Sequence, residues 1–169
     1  MNHPRIIDYN FPLYLEKKYT DIFNLINGSI NTNEVCISKQ YQTLKGFNFT
    51  FFTKSAGWNN NLYSACISPN LDSGLLVESW IRGNETGPTC NKEYETLDIK
   101  KIKFIPTVAE WSERKDHNKW AVARKAKMIC IGDINHMTTQ FARDGEAICF
   151  KHGHLYNIFN NSILDLNRY

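Results

Sequence analysis

The 169 residues predict a single domain of short strands mixed with a few helices, an α/β or α+β arrangement. Three observations lead there. Apolar residues fall in short runs separated by Asn, Gly and Pro, which excludes a coiled coil. Two segments near the termini instead carry apolar residues at three- and four-residue spacings, the mark of amphipathic helices. With 42% hydrophobic and 13% aromatic residues, the chain can bury enough apolar surface to offset its ordering entropy, so disorder is excluded. Its longest apolar stretches, such as Phe47 to Thr53, fall far short of the ~20 residues that span a bilayer.

Each element follows from local chemistry. Pro12 to Ile26 sets Leu15, Tyr19, Ile22, Phe23 and Ile26 on one helical face, with Pro in the first turn and Gly28 just past the end. Residues 30–44 read as a polar loop. Phe47, Phe49 and Phe51 alternate with Asn48 and Thr50, as in a half-buried strand. Asn60 to Ile67 follows a Gly-Trp-Asn turn and reads as a short helix that stops before Pro69. Leu75 to Arg82, Leu97 to Ile105, His117 to Ala123, Lys127 to Gly132 and Ala147 to Phe150 read as strands. His154 to Leu166 places Leu155, Ile158, Phe159, Ile163 and Leu166 along a last helix.

The net charge of +3 is spread evenly over the two halves, which excludes a histone-like polycation but leaves room for a local basic patch. Five cysteines (Cys36, Cys66, Cys90, Cys130, Cys149) contain no C-x-x-C, so neither a zinc ribbon nor a thioredoxin-type dithiol is written here. Two disulfides with one thiol left over, or five reduced thiols, both fit that count. Four N-x-[ST] acceptors, Asn27, Asn48, Asn84 and Asn160, favour an extracytoplasmic protein. The N-terminal residues contain no apolar export segment, so a secreted protein beginning this way is expected to be an incomplete chain.

Chemistry concentrates between Glu113 and Asn135. Six Lys/Arg (Arg114, Lys115, Lys119, Arg124, Lys125, Lys127) lie within fourteen residues, either a phosphate-binding patch or a solvated loop. Within it stands His117-Asn-Lys119. On a strand, the two side chains share a face about 7 Å apart. A nucleophilic imidazole beside an ammonium suits attack on a phosphodiester: nitrogen adds to phosphorus while the cation neutralises the non-bridging oxygens. A solvated basic strand edge has the same residues. Further on, Gly132-Asp-Ile-Asn135 follows a strand that would lie beside the first. Asp133 and Asn135 could orient the histidine or bind a phosphate oxygen. His152-Gly-His154 lacks a third ligand nearby, so no metal or cofactor is expected. Trp58, Trp80, Trp111 and Trp120 could stack on bases, although aromatics beside strands are more often core.

The run Asp116-His-Asn-Lys-Trp120, then Cys130-Ile-Gly-Asp-Ile-Asn135, then Arg143-x-Gly145-x-x-x-Cys149 resembles the C-terminal half of the deoxyribonuclease II family. That family looks like a branch of the phospholipase D superfamily with its H-x-K motifs. The similarity continues upstream through residues 4–9, the Asn60 to Ser64 turn, and Trp80 through Cys90 to Phe104.

The resemblance implies an α/β fold, one phospholipase D-like half with a mixed sheet flanked by helices, over residues 1–169. It implies a secreted or lysosomal glycoprotein that cuts DNA at acid pH without a metal, leaving 3′-phosphate ends, through His117 and Lys119. Two such halves make one site, in which one histidine forms a phosphohistidine and the other protonates the leaving 5′ oxygen. An imidazole with an ordinary pKa of about 6.5 serves both roles only when one ring is protonated and the other is not, consistent with acid pH. Binding through phosphates implies little sequence preference and strong salt dependence. The family also implies a Cys130–Cys149 disulfide and leaves at most one bridge among Cys36, Cys66 and Cys90.

This chain departs from the pattern in four places. It has one H-x-K, so it corresponds to a second catalytic half: a piece of a longer chain, one member of a homodimer, or an inactive relative. His136 stands where the family has Arg, Asp144-Gly-Glu146 replaces a Gly-rich turn, and Arg124 replaces the superfamily's Asp.

Overall fold

The computed structural model describes residues 8, 10–28, 35–83, 86–90 and 94–167. Ten strands among them form a mixed sheet, largely antiparallel: β1 (Cys36–Gln42), β2 (Asn48–Lys54), β3 (Leu75–Glu78), β4 (Thr89–Cys90), β5 (Glu95–Ile102), β6 (Trp111–Ser112), β7 (Trp120–Ala123), β8 (Met128–Gly132), β9 (Gly145–Phe150) and β10 (Ile163–Leu166). The main order is β1-β2-β9-β8-β7-β3-β5-β10, with β4 and β6 paired to β5. Only the β3–β5 pairing is parallel, Leu76 opposite Leu97. The α/β class with a mixed sheet flanked by helices is therefore the observed one.

One face of the sheet carries the larger core. Phe52, Leu75, Val77, Ala121, Cys130, Ala147 and Cys149 point to it and pack under Tyr63, Cys66 and Ile67. Those three belong to a π-helical turn (Tyr63–Ile67) that runs into α2 (Ser68–Asn70). Asn61 starts the turn, its Oδ1 accepting from the Tyr63 and Ser64 amides at 2.8 and 3.0 Å. The helix runs past Pro69 instead of stopping before it. Proline lacks the N–H that a regular interior turn uses, and the wide π turn just before it absorbs the change. Two disulfides close this side. Cys36 on β1 bonds Cys66, and Cys130 bonds Cys149 across β8–β9 at a Cα separation of 4.0 Å. The Cys90 side chain lies outside the described residues.

The other face is covered over β8, β7 and the strands beyond by α3 (Gly153–Ser162), whose Phe159 meets Trp120 edge-on at 4.9 Å. Leu76, Leu97, Ile99, Ile102 and Val122 complete that second core.

Four more expectations change. The N-terminal helix is a 3-10 turn (Leu13–Leu15) followed by the shorter α1 (Thr20–Ile26). The polar loop contains β1, whose residues are almost all exposed, so no burial pattern marks it. The last helix ends at Ser162 because β5 has an open edge: β10 pairs with it, Ile163 opposite Ile102. The phenylalanine alternation is real but inverted. The core-facing set is Phe52 and Lys54, with Thr50 half-buried, while Phe47, Phe49 and Phe51 face away from that core.

Candidate active site

Strands β3 and β7 run antiparallel, with Glu78 opposite Trp120 at the end where both chains leave the sheet. Residues 79–82 depart from β3 there, residues 113–119 arrive at β7, and Ile81 N donates to Glu113 O at 3.3 Å to hold the two together. The third segment follows β8, where Gly132 N donates to Lys119 O at 2.9 Å.

His117 and Lys119 precede β7 rather than lying on it, because Asp116 Oδ1 accepts from Asn118 N at 2.9 Å and turns the chain. The two groups still adjoin. Lys119 Nζ donates to the His117 carbonyl at 2.6 Å, which pins the ammonium beside the histidine backbone. The His117 ring is exposed and lies on the Trp80 indole, 4.1 Å between centroids and 30° between planes. Trp80 is itself fixed: Nε1 donates to Arg114 O at 3.1 Å, and the Arg82 guanidinium sits 5.2 Å from its ring.

Several acids are buried at this end of the sheet. Glu78 and Asp98 are fully buried, and Asp116 and Glu113 nearly so. Burial first, then the neighbouring charges of Asp116, Glu113 and Asp98, push the Glu78 carboxyl up to about 9, with Lys100 opposing. Glu78 is therefore a neutral acid at pH 7, and neither of its oxygens meets a protein partner. His136 is also buried, its Nδ1 2.6 Å from Asp98 Oδ1 and its backbone N donating to Ser79 Oγ at 3.0 Å. Tyr63 meets the His136 ring edge-on and donates from its hydroxyl to Ile134 O at 2.7 Å. His136 Nε2, Asp98 Oδ2 and Asn135 Oδ1 are also buried without a hydrogen-bond partner.

Asp133 is exposed, and its Oδ1 accepts from Glu146 N at 2.8 Å across the β8–β9 end. That contact shapes the strand end. Asn135 is half-buried on the next loop. Gly145 is required by close approach, since a Cβ there would stand 2.8–3.0 Å from the Ile134 side chain. Lys54, buried, donates to the carbonyls of Phe141 and Arg143 and fixes the loop between β8 and β9. Burial pushes its ammonium below the usual lysine range, against the nearby Asp133 charge.

The basic run does not stay together. The four residues of β7 separate Arg114, Lys115 and Lys119 from Arg124, Lys125 and Lys127, which are exposed in the β7–β8 turn. There Lys125 pairs with Asp72. His152 caps α3, its Nδ1 accepting from Leu155 N at 3.3 Å. Asn27 and Asn48 are exposed and Asn160 is half-buried, while Asn84 lies outside the described residues. Of the tryptophans, Trp120 is core, and Trp58 and Trp111 pack against core. Trp80 is the residue sequence reasoning undervalued. Glu78 carried a signal, an acid inside the apolar run Leu75 to Trp80, whereas the Asp98–His136 contact spans 38 residues and carried none.

An exposed histidine–lysine pair thus stands at the strand ends of a mixed α/β sheet, close to several buried acids. A family model described as Deoxyribonuclease II matches residues 1–169, and the chain belongs to that family. It is 34% identical over 164 residues to Deoxyribonuclease-2 of Caenorhabditis elegans, covering 94% of this chain and 43% of that protein. It is 36% identical over 126 residues to Deoxyribonuclease-2-beta of Rattus norvegicus, covering 72% of this chain and 35% of the relative. Plancitoxin-1 of Acanthaster planci is 28% identical over 169 residues, 97% of this chain and 47% of that protein. The chain thus spans less than half the length of these curated relatives.

Proposed function

We propose that residues 1–169 form the second catalytic half of an acid endonuclease that hydrolyses DNA phosphodiester bonds. The observation that carries this reading is the open His117 ring, stacked on Trp80 with Lys119 beside it. Solvent-facing nitrogen can reach a phosphate, and the rigid stack spares the cost of ordering the ring.

In the reaction, an imidazole nitrogen bonds to phosphorus as the P–O5′ bond breaks, and a second imidazolium gives its proton to the leaving oxygen. Water then cleaves the P–N bond and leaves a 3′-phosphate. His117 fills one of these two roles, and Lys119 neutralises the non-bridging oxygens. Asn135 and Asp133 contact phosphate oxygens or support the histidine. The other imidazole comes from a partner, either another copy of this chain or another half. Family membership supports DNA as the substrate, met through phosphates without a cofactor. Two disulfides and two exposed sequons support a secreted or lysosomal setting. No helix among the described residues is long and apolar enough to cross a membrane.

A second reading, a non-catalytic relative that keeps the fold and DNA binding, is favoured by the single H-x-K. One assay separates the two. Plasmid DNA at about pH 5 in EDTA, where imidazoles are largely protonated, is expected to be nicked by the chain and left intact by His117→Ala. Nicking that survives the substitution removes His117 from the mechanism, and no nicking by the parent chain favours the second reading or a missing half.

A further inference from the structure

The two segments that frame His117 sort their charges. Residues 78–83, leaving β3, and residues 113–119, arriving at β7, contain three acids, Glu78, Glu113 and Asp116, and all three are buried. The basic residues of the same segments go the other way: Arg82, Arg114 and Lys115 are exposed and Lys119 is half-buried. The outer surface of these segments therefore carries four cations and no exposed carboxylate. The exposed acids Asp133 and Glu146 stand on the β8–β9 side, where Asp133 Oδ1 accepts from Glu146 N at 2.8 Å. A polyanion is thus drawn over the β3–β7 side of the histidine.

Trp80 ties two of these cations to His117. The His117 ring lies 4.1 Å and the Arg82 guanidinium 5.2 Å from the indole, and Trp80 Nε1 donates to Arg114 O at 3.1 Å. The Arg114 side chain itself stays 77% exposed, its Nε 3.9 Å from Glu113 Oε1, so its remaining donors face solvent. Two groups held against one indole are less than about 10 Å apart, roughly three steps of a nucleic-acid strand at ~3.4 Å each.

We propose that Arg82 and Arg114 form a subsite for the phosphates that flank the one under attack, with Trp80 as the spacer that fixes both to His117. The ligand class is a run of consecutive phosphodiesters, met by charge and not by base, so the subsite adds affinity without sequence preference. Guanidinium suits that task because its planar fork can take two phosphate oxygens at once. The cations then divide the work. Lys119, pinned to the His117 carbonyl, serves the reacting phosphate, while the arginines hold neighbouring phosphates and align the strand. This inference rests on the proposal that the His117 site takes DNA, but not on catalysis, since phosphate binding is measured without bond cleavage.

Fluorescence anisotropy of a labelled DNA duplex, titrated at about pH 5 in EDTA over a series of salt concentrations, tests the subsite. For the parent chain, log K should fall against log salt with a slope of about −4, roughly 0.9 for each of the four cations. Arg82→Gln and Arg114→Gln should each weaken binding about three- to tenfold at about 0.1 M salt and take about 0.9 off the slope. Arg82→Lys, which keeps the charge, should keep the slope. Arg124→Gln, in the β7–β8 turn, should change neither quantity. A parent chain that does not bind the duplex overturns the proposal, as do glutamine variants with parental affinity and slope, or an equal loss in Arg124→Gln. A loss that Arg82→Lys fails to restore makes Arg82 a support for Trp80 and removes it from the subsite. Duplex bound through the arginines but never nicked leaves the subsite standing and refutes the catalytic reading alone, whereas nicking by a chain whose binding ignores both arginines does the reverse.

Discussion

The two ends of β7 carry nearly the same residues and do opposite things with them. At the β8 turn, Arg124, Lys125 and Lys127 are exposed, and Lys125 is neutralised by an equally exposed Asp72. Nothing there is buried at a cost, and an exposed ion pair contributes little. At the other end, which carries Lys119 and His117, Glu78, Asp98, Asp116 and Glu113 are all buried, and polar atoms of Glu78, Asp98, Asn135 and His136 have no hydrogen-bond partner. Burying such groups opposes folding. Polar groups held against that cost near an exposed imidazole set this end apart from the solvated turn, a difference that charge counting along the sequence could not show.

Four substitutions break or sharpen this contrast, in falling order of effect. Gly145→Ala drives a methyl into Ile134 at the site end and should cost about 1–3 kcal/mol in denaturant unfolding; an unchanged midpoint would mean Ile134 yields freely. Trp80→Ala removes the surface that holds the His117 ring and should slow nicking up to about tenfold, with Trp80→Phe recovering part, since one aromatic contact contributes roughly 0.5–1.5 kcal/mol. Equal rates for all three would make the stack incidental.

Glu78 predicts a pH dependence of stability. Its carboxyl titrates near 9 when folded against 4.5 when unfolded. Between those values the unfolded chain has released a proton that the folded chain keeps. This contribution is therefore complete below pH 4.5 and is lost as pH rises toward 9. Melting temperature should fall across that window, and Glu78→Gln should flatten the slope; a slope that persists in the variant assigns the effect elsewhere. Smallest of all, Arg124→Ala with Lys125→Ala should leave nicking within about twofold, because those cations sit at the solvated end.

Much of this was legible in the residues. Strands β2, β3, β5, β8 and β9 announced themselves by apolar runs, and the Asp116-to-Trp120 and Cys130-to-Asn135 motifs led to the site and to the family. Other parts were silent for physical reasons. β1 is an exposed edge with no burial period, and β10 continues the apolar spacing of α3, so pairing with β5, not propensity, ends the helix. Alternation in β2 marked a strand but could not say which face was core, and the apolar set turned outward. Trp80 and His136 acquire their roles through contacts 37 and 38 residues away, which no local window contains.

The most direct test of a site at the His117 end is an amide and indole NMR titration with a short DNA duplex at about pH 5, where phosphate contacts to protonated imidazoles are strongest. The largest perturbations should fall on His117, Lys119, the Trp80 indole N–H and Asn135. Perturbations confined to Arg124 through Lys127 would contradict that placement and make the basic turn, not the histidine, the place where this protein meets nucleic acid.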